Sequence, residues 1–245
     1  MRRTLKPLVC TVLGLWMRKV PLARWPAWAA NLYNIKVPRN VRPNCRSAPS
    51  GGANINILLE LMELVRPLTG DFAECGVFRG STLISVALHA RITDWRAKVI
   101  GFDSFAGFDD SILVDLELGG AEDTEKRRGG FDGTSLDYVA ARVAALGLSD
   151  TIELKQGYFE TTLPKSTERL YRLVHLDCDI YTSYKQCLDY FYPRMVRGGV
   201  ILLDEYNDPP WPGCNQAVDE FLLGRAERLM LIARDGYEKY YIVKD

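Results

Sequence analysis

Two acidic clusters each follow an apolar run. Leu173-Val174-His175-Leu176 leads into Asp177-Cys178-Asp179, and Val200-Ile201-Leu202-Leu203 leads into Asp204-Glu205. Such runs read as buried strands of a parallel sheet, whose carboxyl ends share the edge where open α/β sheets bind ligands. Carboxylates gathered there repel one another unless a cation, a proton or a substrate hydroxyl compensates them. The pattern predicts a divalent-cation site beside a cofactor crevice. A third segment, Glu74-Cys75-Gly76-Val77-Phe78-Arg79-Gly80-Ser81, joins a predicted strand to a predicted helix. Its glycines allow the backbone to approach a ligand, and the helix start offers unpaired amides to a carboxylate or phosphate. It is not the G-x-G-x-x-G of dinucleotide sites. Asp103 ends the next predicted strand, where an acidic side chain accepts hydrogen bonds from ribose hydroxyls. A turn or helix-cap role, with Ser104 and Gly107 nearby, is the alternative. Gly76 and Asp103 together point to nucleoside binding, with S-adenosylmethionine and a nicotinamide cofactor both left open.

The elements that must position these residues follow from periodicity. Apolar residues at Ile55, Leu58, Leu59, Met62 and Val65 mark a helix that Pro67 and Gly70 end. Short strands are predicted at 72–75, 98–102, 152–155, 172–176 and 200–203, with helices over 81–92, 136–146, 183–191 and 212–222. Residues 229–233 and 240–243 flank Asp235-Gly236, which predicts an antiparallel hairpin appended to the βαβ array. The stretch 107–132 is the least regular and reads as a lid or binding loop, or else as disordered.

At 245 residues with zero formal net charge, the chain is long enough for one large α/β domain and shows no global pull toward a polyanion. No nucleic-acid partner is expected. Charge is distributed unevenly: no acidic residue precedes Glu60, whereas Arg2, Arg3, Lys6, Arg18, Lys19, Arg24, Lys36, Arg39, Arg42 and Arg46 are basic. Residues 1–50 read as a basic, partly apolar arm and linker, and 51–245 as the catalytic domain. The apolar stretch 8–17 is too short to span a bilayer, which takes about 20 residues. Arg18-Lys19 stands where a signal peptide would need small residues. Packing on its own domain or on a partner subunit is the favoured role of the arm, with membrane contact through Trp16, Trp25 and Trp28 as the other. A cytoplasmic homo-oligomer is expected. The six cysteines (Cys10, Cys45, Cys75, Cys178, Cys187 and Cys214) lack C-x-x-C spacing and read as buried free thiols.

Segments 71–81, 103–108 (Asp-Ser-Phe-Ala-Gly-Phe), 157–164 (Gly-Tyr-Phe-Glu-Thr-Thr-Leu-Pro), 175–181, 198–200, 204–206 and 212–219 occur in this order from about Gly51 almost to the end. Taken together they resemble the macrocin-type (TylF-like) O-methyltransferases. The resemblance implies a Rossmann-like class I methyltransferase fold, a mostly parallel seven-stranded sheet closed by a C-terminal antiparallel hairpin. It implies transfer of a methyl group from S-adenosylmethionine to a hydroxyl of a small molecule, a sugar of a natural product or glycoconjugate, with Mg2+. Carried over, Glu74, Gly76, Val77, Arg79 and Ser81 line the methionine part of the cofactor, Asp103 and Ser104 the ribose, and Gln156, Gly157 and Tyr158 the adenine. Asp177, Asp204 and Glu205 become the metal ligands and Asp177 the general base.

The chain departs from that family at three positions: Cys178 in place of glycine, Glu205 in place of a second aspartate, and Phe78 in place of tryptophan. The longer Glu205 side chain leaves open a contact to the metal through water. Asp177-Cys178-Asp179 also fits the D-x-D of metal-dependent glycosyltransferases, and a non-catalytic cofactor-binding protein is a further alternative. Asp179 is expected to cap the following helix. His175 and His89 have no triad partner by spacing and read as structural. Trp211, Tyr206 and Phe108 are candidates to stack on the acceptor.

Overall fold

The computed structural model describes residues 52–118, 129–166, 168–234 and 236–245, with side chains from residue 55 onward. The arm predicted over 1–50, with Cys10 and Cys45, lies outside the described residues.

A helix α1 (Gly52–Leu64) leads into β1 (Asp71–Cys75), α2 (Ser81–Ile92), β2 (Val99–Asp103), α3 (Ile112–Glu117) and α4 (Leu136–Ala145). Then come β3 (Ile152–Gln156), α5 (Phe159–Thr162), β4 (Tyr171–Leu176) and α6 (Tyr181–Phe191), followed by a 3-10 turn (Tyr192–Arg194). The chain ends with β5 (Met195–Leu203), α7 (Pro212–Leu222), β6 (Leu229–Arg234) and β7 (Tyr237–Val243). The strands form one sheet in the order β3-β2-β1-β4-β5-β7-β6. The five strands β1 to β5 run parallel, β7 runs antiparallel to β5, and β6 pairs antiparallel with β7 at the edge. The predicted antiparallel hairpin is therefore present as β6 and β7, and β7 joins it to the parallel array.

Successive strand residues point to opposite faces, so the buried sheet has two cores. Phe72, Leu173, Val200 and Leu202 pack with α1, α2 and α4, while Ala73, Cys75, Val174, Leu176, Ile201 and Leu203 pack with α6 and α7. Apolar side chains on both faces explain why β4 and β5 read as unbroken hydrophobic runs. In α1 the buried stripe is wider than the periodicity suggests: Ile57 and Leu61 join Ile55, Leu58, Met62 and Val65, and Leu59 is only partly buried.

Two local readings are corrected. The stretch 107–132 contains the short helix α3, whose Ile112 and Asp115 are buried. Asp179 does not cap α6: it adopts φ +64, the adjoining Ile180 offers no side-chain acceptor, and the Tyr181 amide is taken by Asp115 instead. Among the described residues no helix is long and apolar enough to cross a membrane.

Candidate active site

The carboxyl ends of β1, β2, β3 and β4 open onto a cavity of 490 Å³, within the range of small-molecule and cofactor sites. The glycine turn after β1 contributes Glu74, Gly76, Val77, Arg79 and Ser81; β2 contributes Asp103 and Ser104; the turn after β3 contributes Gly157 and Tyr158. Asp177 lines the same cavity. Gln156 does not, because as the last residue of β3 it is exposed and paired in register with Asp103.

The turn is built around three contacts of one carboxylate with the backbone. Asp103 Oδ2 accepts the N–H groups of Val77 and Phe78, each at 2.7 Å, and Oδ1 accepts that of Phe105 at 2.6 Å. The carboxylate expected to hold a ribose is thus engaged first in fixing the backbone: Oδ2 accepts two amides, and Oδ1, which accepts one, has acceptor capacity left. Burial raises its pKa, while these three amides lower it. Gly76 (φ +92) also has a more specific role than expected. A Cβ there would lie 1.6 Å from the carbonyl oxygen of Asp177, so the close approach that requires glycine is that of the Asp177 peptide. Arg79 is exposed, with its Nε donating to the Gly133 carbonyl and its guanidinium 4.9 Å from the Phe78 ring centroid.

Sheet register explains the acidic centre. Glu74 of β1 lies beside His175 of β4, which lies beside Leu202 of β5. Two residues beyond Leu202 comes Asp204. His175 accordingly bridges two carboxylates, with Nδ1 3.1 Å from Glu74 Oε1 and Nε2 3.3 Å from Asp204 Oδ1. Burial opposes its charge, but the hydrogen bonds to Asp204 and Glu74 outweigh burial and push its pKa up to about 10. Lys239 of β7 adds a second cation. Its Nζ is 3.0 Å from Asp204 Oδ2, and the side chain is largely buried. Burial lowers the pKa of Lys239, yet Asp204 and Glu205 raise it on balance, so the lysine stays charged.

Glu205 turns toward α6, where its Oε2 accepts the Tyr184 hydroxyl at 2.7 Å and lies 3.4 Å from the Asp179 amide. Burial, followed by repulsion from Asp179, Asp204 and Asp177, drives its pKa well above the usual carboxylate range. Asp177, Asp204 and Glu205 each offer an oxygen within 4.8 Å of the others, and Glu74, His175 and Asp177 form a second such trio. The first trio is all oxygen, the donor set a hard divalent cation prefers. The second contains an imidazole whose two nitrogens both lie within hydrogen-bond distance of carboxylates, Glu74 and Asp204, which leaves neither nitrogen open to a metal. Asp177 belongs to both.

Sequence reasoning missed Lys239, Asp115 and the bridging role of His175. Aligning the two strand ends at Gly76 and Asp177 would have placed Glu74 beside His175. Trp211 and Phe108 pack edge-to-face with ring centroids 6.0 Å apart, and Phe131 meets Phe108 edge-to-face at 5.5 Å. Phe108 and Phe131 line the cavity. Tyr206 donates its hydroxyl to Asp219 and packs on Tyr240, and it is not among the residues lining the cavity. The four described cysteines are buried free thiols.

His175 makes stability depend on pH in a direction that can be stated. A group whose pKa is raised on folding stabilises fully below its unfolded value, here 6.5, and loses that contribution as pH rises through its folded value. In metal-free protein, stability is expected to fall between about pH 6.5 and about pH 10, with the slope reduced in His175→Gln. Urea melts across that interval check it; equal slopes in both proteins would contradict it.

The sheet order, the reversed β7 and the cavity at the carboxyl ends define a class I methyltransferase fold. The family model for macrocin-O-methyltransferase (TylF) matches residues 42–235. The chain belongs to that family and is an O-methyltransferase. It is 29% identical over 216 residues to demethyldecarbamoylnovobiocin O-methyltransferase of Streptomyces niveus, covering 86% of this chain and 76% of the relative. It is 30% identical over 158 residues to the 8-demethyl-8-(2,3-dimethoxy-alpha-L-rhamnosyl)-tetracenomycin-C 4'-O-methyltransferase of Streptomyces olivaceus, covering 62% and 58% of the two chains. The solved structure of the O-methyltransferase NovP superposes with a TM-score of 0.69 at 26% identity, over 96% of this chain and 100% of that one.

Proposed function

We propose that this O-methyltransferase takes its methyl group from S-adenosylmethionine and delivers it to a sugar hydroxyl of a small natural product, with Mg2+ held by Asp177, Asp204 and Glu205. One observation carries the reading: Asp177 lines the cofactor-sized cavity and is also a corner of the all-oxygen trio. Bound S-adenosylmethionine supplies an electrophilic methyl group, and a bound divalent cation makes a sugar hydroxyl easier to deprotonate. The residues present fit both groups. The cavity is large enough, and the trio of Asp177, Asp204 and Glu205 offers oxygen donors only, the set a hard divalent cation prefers.

Within this arrangement Asp177 accepts the hydroxyl proton as general base. Asp204 is anchored by Lys239 and His175, which fixes its carboxylate relative to β5. Glu205, one methylene longer than an aspartate, reaches down to Tyr184, so that hydroxyl orients it. Glu74, Gly76 and Val77 border the methionine part of the cofactor, with Ser81 and Arg79 toward its carboxylate. Ser104 and the remaining lone pair of Asp103 border the ribose, and Gly157 with Tyr158 borders the adenine. The relative from Streptomyces olivaceus is named for a rhamnosyl substrate, which supports a sugar acceptor for this chain.

The test combines binding and turnover. Calorimetry should show one S-adenosylhomocysteine per chain, and a panel of glycosylated acceptors should be methylated by metal-stripped protein only after Mg2+ is restored. Undiminished transfer in EDTA would remove the cation from the account. Tight binding of a nucleotide sugar without S-adenosylhomocysteine binding would overturn the cofactor assignment.

A further inference from the structure

Asp115 is 1% exposed, an unusual position for a carboxylate on a connection between strands. It belongs to α3, directly after residues Gly107, Phe108, Asp109 and Ser111, which line the cavity. Its own carboxylate points elsewhere. Oδ2 and Oδ1 accept the Tyr181 amide at 2.9 and 3.2 Å, at the first residue of the eleven-residue helix α6. An anion there satisfies an end-of-helix donor and complements the helix dipole.

A second contact is independent of the first. A Cβ added to Gly213, the second residue of α7, would lie 2.0 Å from Asp115 Oδ1 and 2.9 Å from the Tyr181 Cβ. Gly213 therefore leaves room for this carboxylate. Helix α6 begins just after Asp177-Cys178-Asp179, and α7 begins shortly after Asp204-Glu205. A single buried side chain thus ties a segment that lines the cavity to the two helices that follow the acidic clusters.

We propose that Asp115 is a positioning residue for methyl transfer: it latches segment 104–118 onto the starts of α6 and α7, so that a closed cavity and a correctly placed Asp177 are one conformation. The consequence for the cofactor rests on the function proposed above; the latch itself does not. Asp115→Asn keeps an acceptor for the Tyr181 amide without the charge, whereas Asp115→Ala removes both. Gly213→Ala presses on the carboxylate from the opposite side and leaves Asp115 chemically intact.

Hydrogen exchange read by mass spectrometry, together with S-adenosylhomocysteine titration, tests the latch in the full chain. Asp115→Ala should speed exchange in 104–118 at least tenfold and weaken the nucleoside at least tenfold, with β1, β4 and β5 exchanging as in the wild type. Asp115→Asn should recover much of both, and Gly213→Ala, whose Cβ would crowd the Asp115 carboxylate, should speed exchange in 104–118 as Asp115→Ala does. Unchanged exchange in Asp115→Ala, or faster exchange across the whole sheet, would overturn the proposal. A wild-type protein that binds no S-adenosylhomocysteine would defeat the cofactor reading, while the exchange data would still decide the latch.

Discussion

Gly76→Ala is expected to destabilise the protein by about 4 kcal/mol, combining the left-handed backbone cost with overpacking against rigid neighbours. The atoms in the way belong to main chain. The new Cβ would fall 1.6 Å from the Asp177 carbonyl oxygen, 2.6 Å from its carbon and 3.3 Å from the Cys178 Cα. No side chain can rotate away to relieve this. The Asp177 amide donates to the Cys75 carbonyl at 2.9 Å, so making room requires opening the ends of β1 and β4. Asp177 would move with its peptide, and a shift of about 1 Å at a reacting group costs on the order of a hundredfold in rate. Gly224→Ala is the control: its φ of +77 is similar, but nothing lies within 4 Å of its added Cβ. That change should cost only about 1–2 kcal/mol. Thermal melts should separate the two variants by roughly 4–12 °C for a domain of this size. Similar melting temperatures, with activity retained in Gly76→Ala, would show that the β1–β4 junction does not position Asp177.

The parts of this protein legible from its sequence are those written in one strand or one turn. The apolar runs before Asp177 and Asp204 gave away buried parallel strands, and the side on which those strands end follows from the connectivity of βαβ units. The glycine turn and Asp103 were recognisable for the same local reason, although Asp103 proved to hold amides of its own turn before any ligand. What stayed hidden depends on which strands become neighbours. His175 reads as a buried strand residue until β1 is laid beside β4, which brings Glu74 against it. Lys239 is an ordinary alternating position in a hairpin until β7 pairs antiparallel with β5, with Leu203 opposite Tyr240, so that its ammonium reaches Asp204.

Asp115 shows the same limit in a loop. Asp179 stood in the local position for capping α6, and local rules favoured it. Its φ of +64 and the reach of a carboxylate nearly seventy residues earlier gave that role to Asp115. A buried acid that acts through a neighbouring element leaves no periodic mark. The aromatic group of Phe108, Phe131 and Trp211 is similar, since it forms only when the chain around Phe108 and Phe131 folds against the start of α7.

Asp177 lines the cavity and is a corner of the carboxylate centre, and in the proposed function it removes the acceptor proton. Asp177→Asn keeps nearly the same shape and its peptide contact with Gly76, but a neutral amide cannot act as that base. Loss of a positioned general base lowers rate by about 10²–10⁴-fold. The decisive measurement is single-turnover methyl transfer by Asp177→Asn, paired with its affinity for S-adenosylhomocysteine. The expected result is a rate lower by about two to four orders of magnitude, at roughly unchanged nucleoside affinity. Transfer at the wild-type rate, with the nucleoside bound normally, would contradict it.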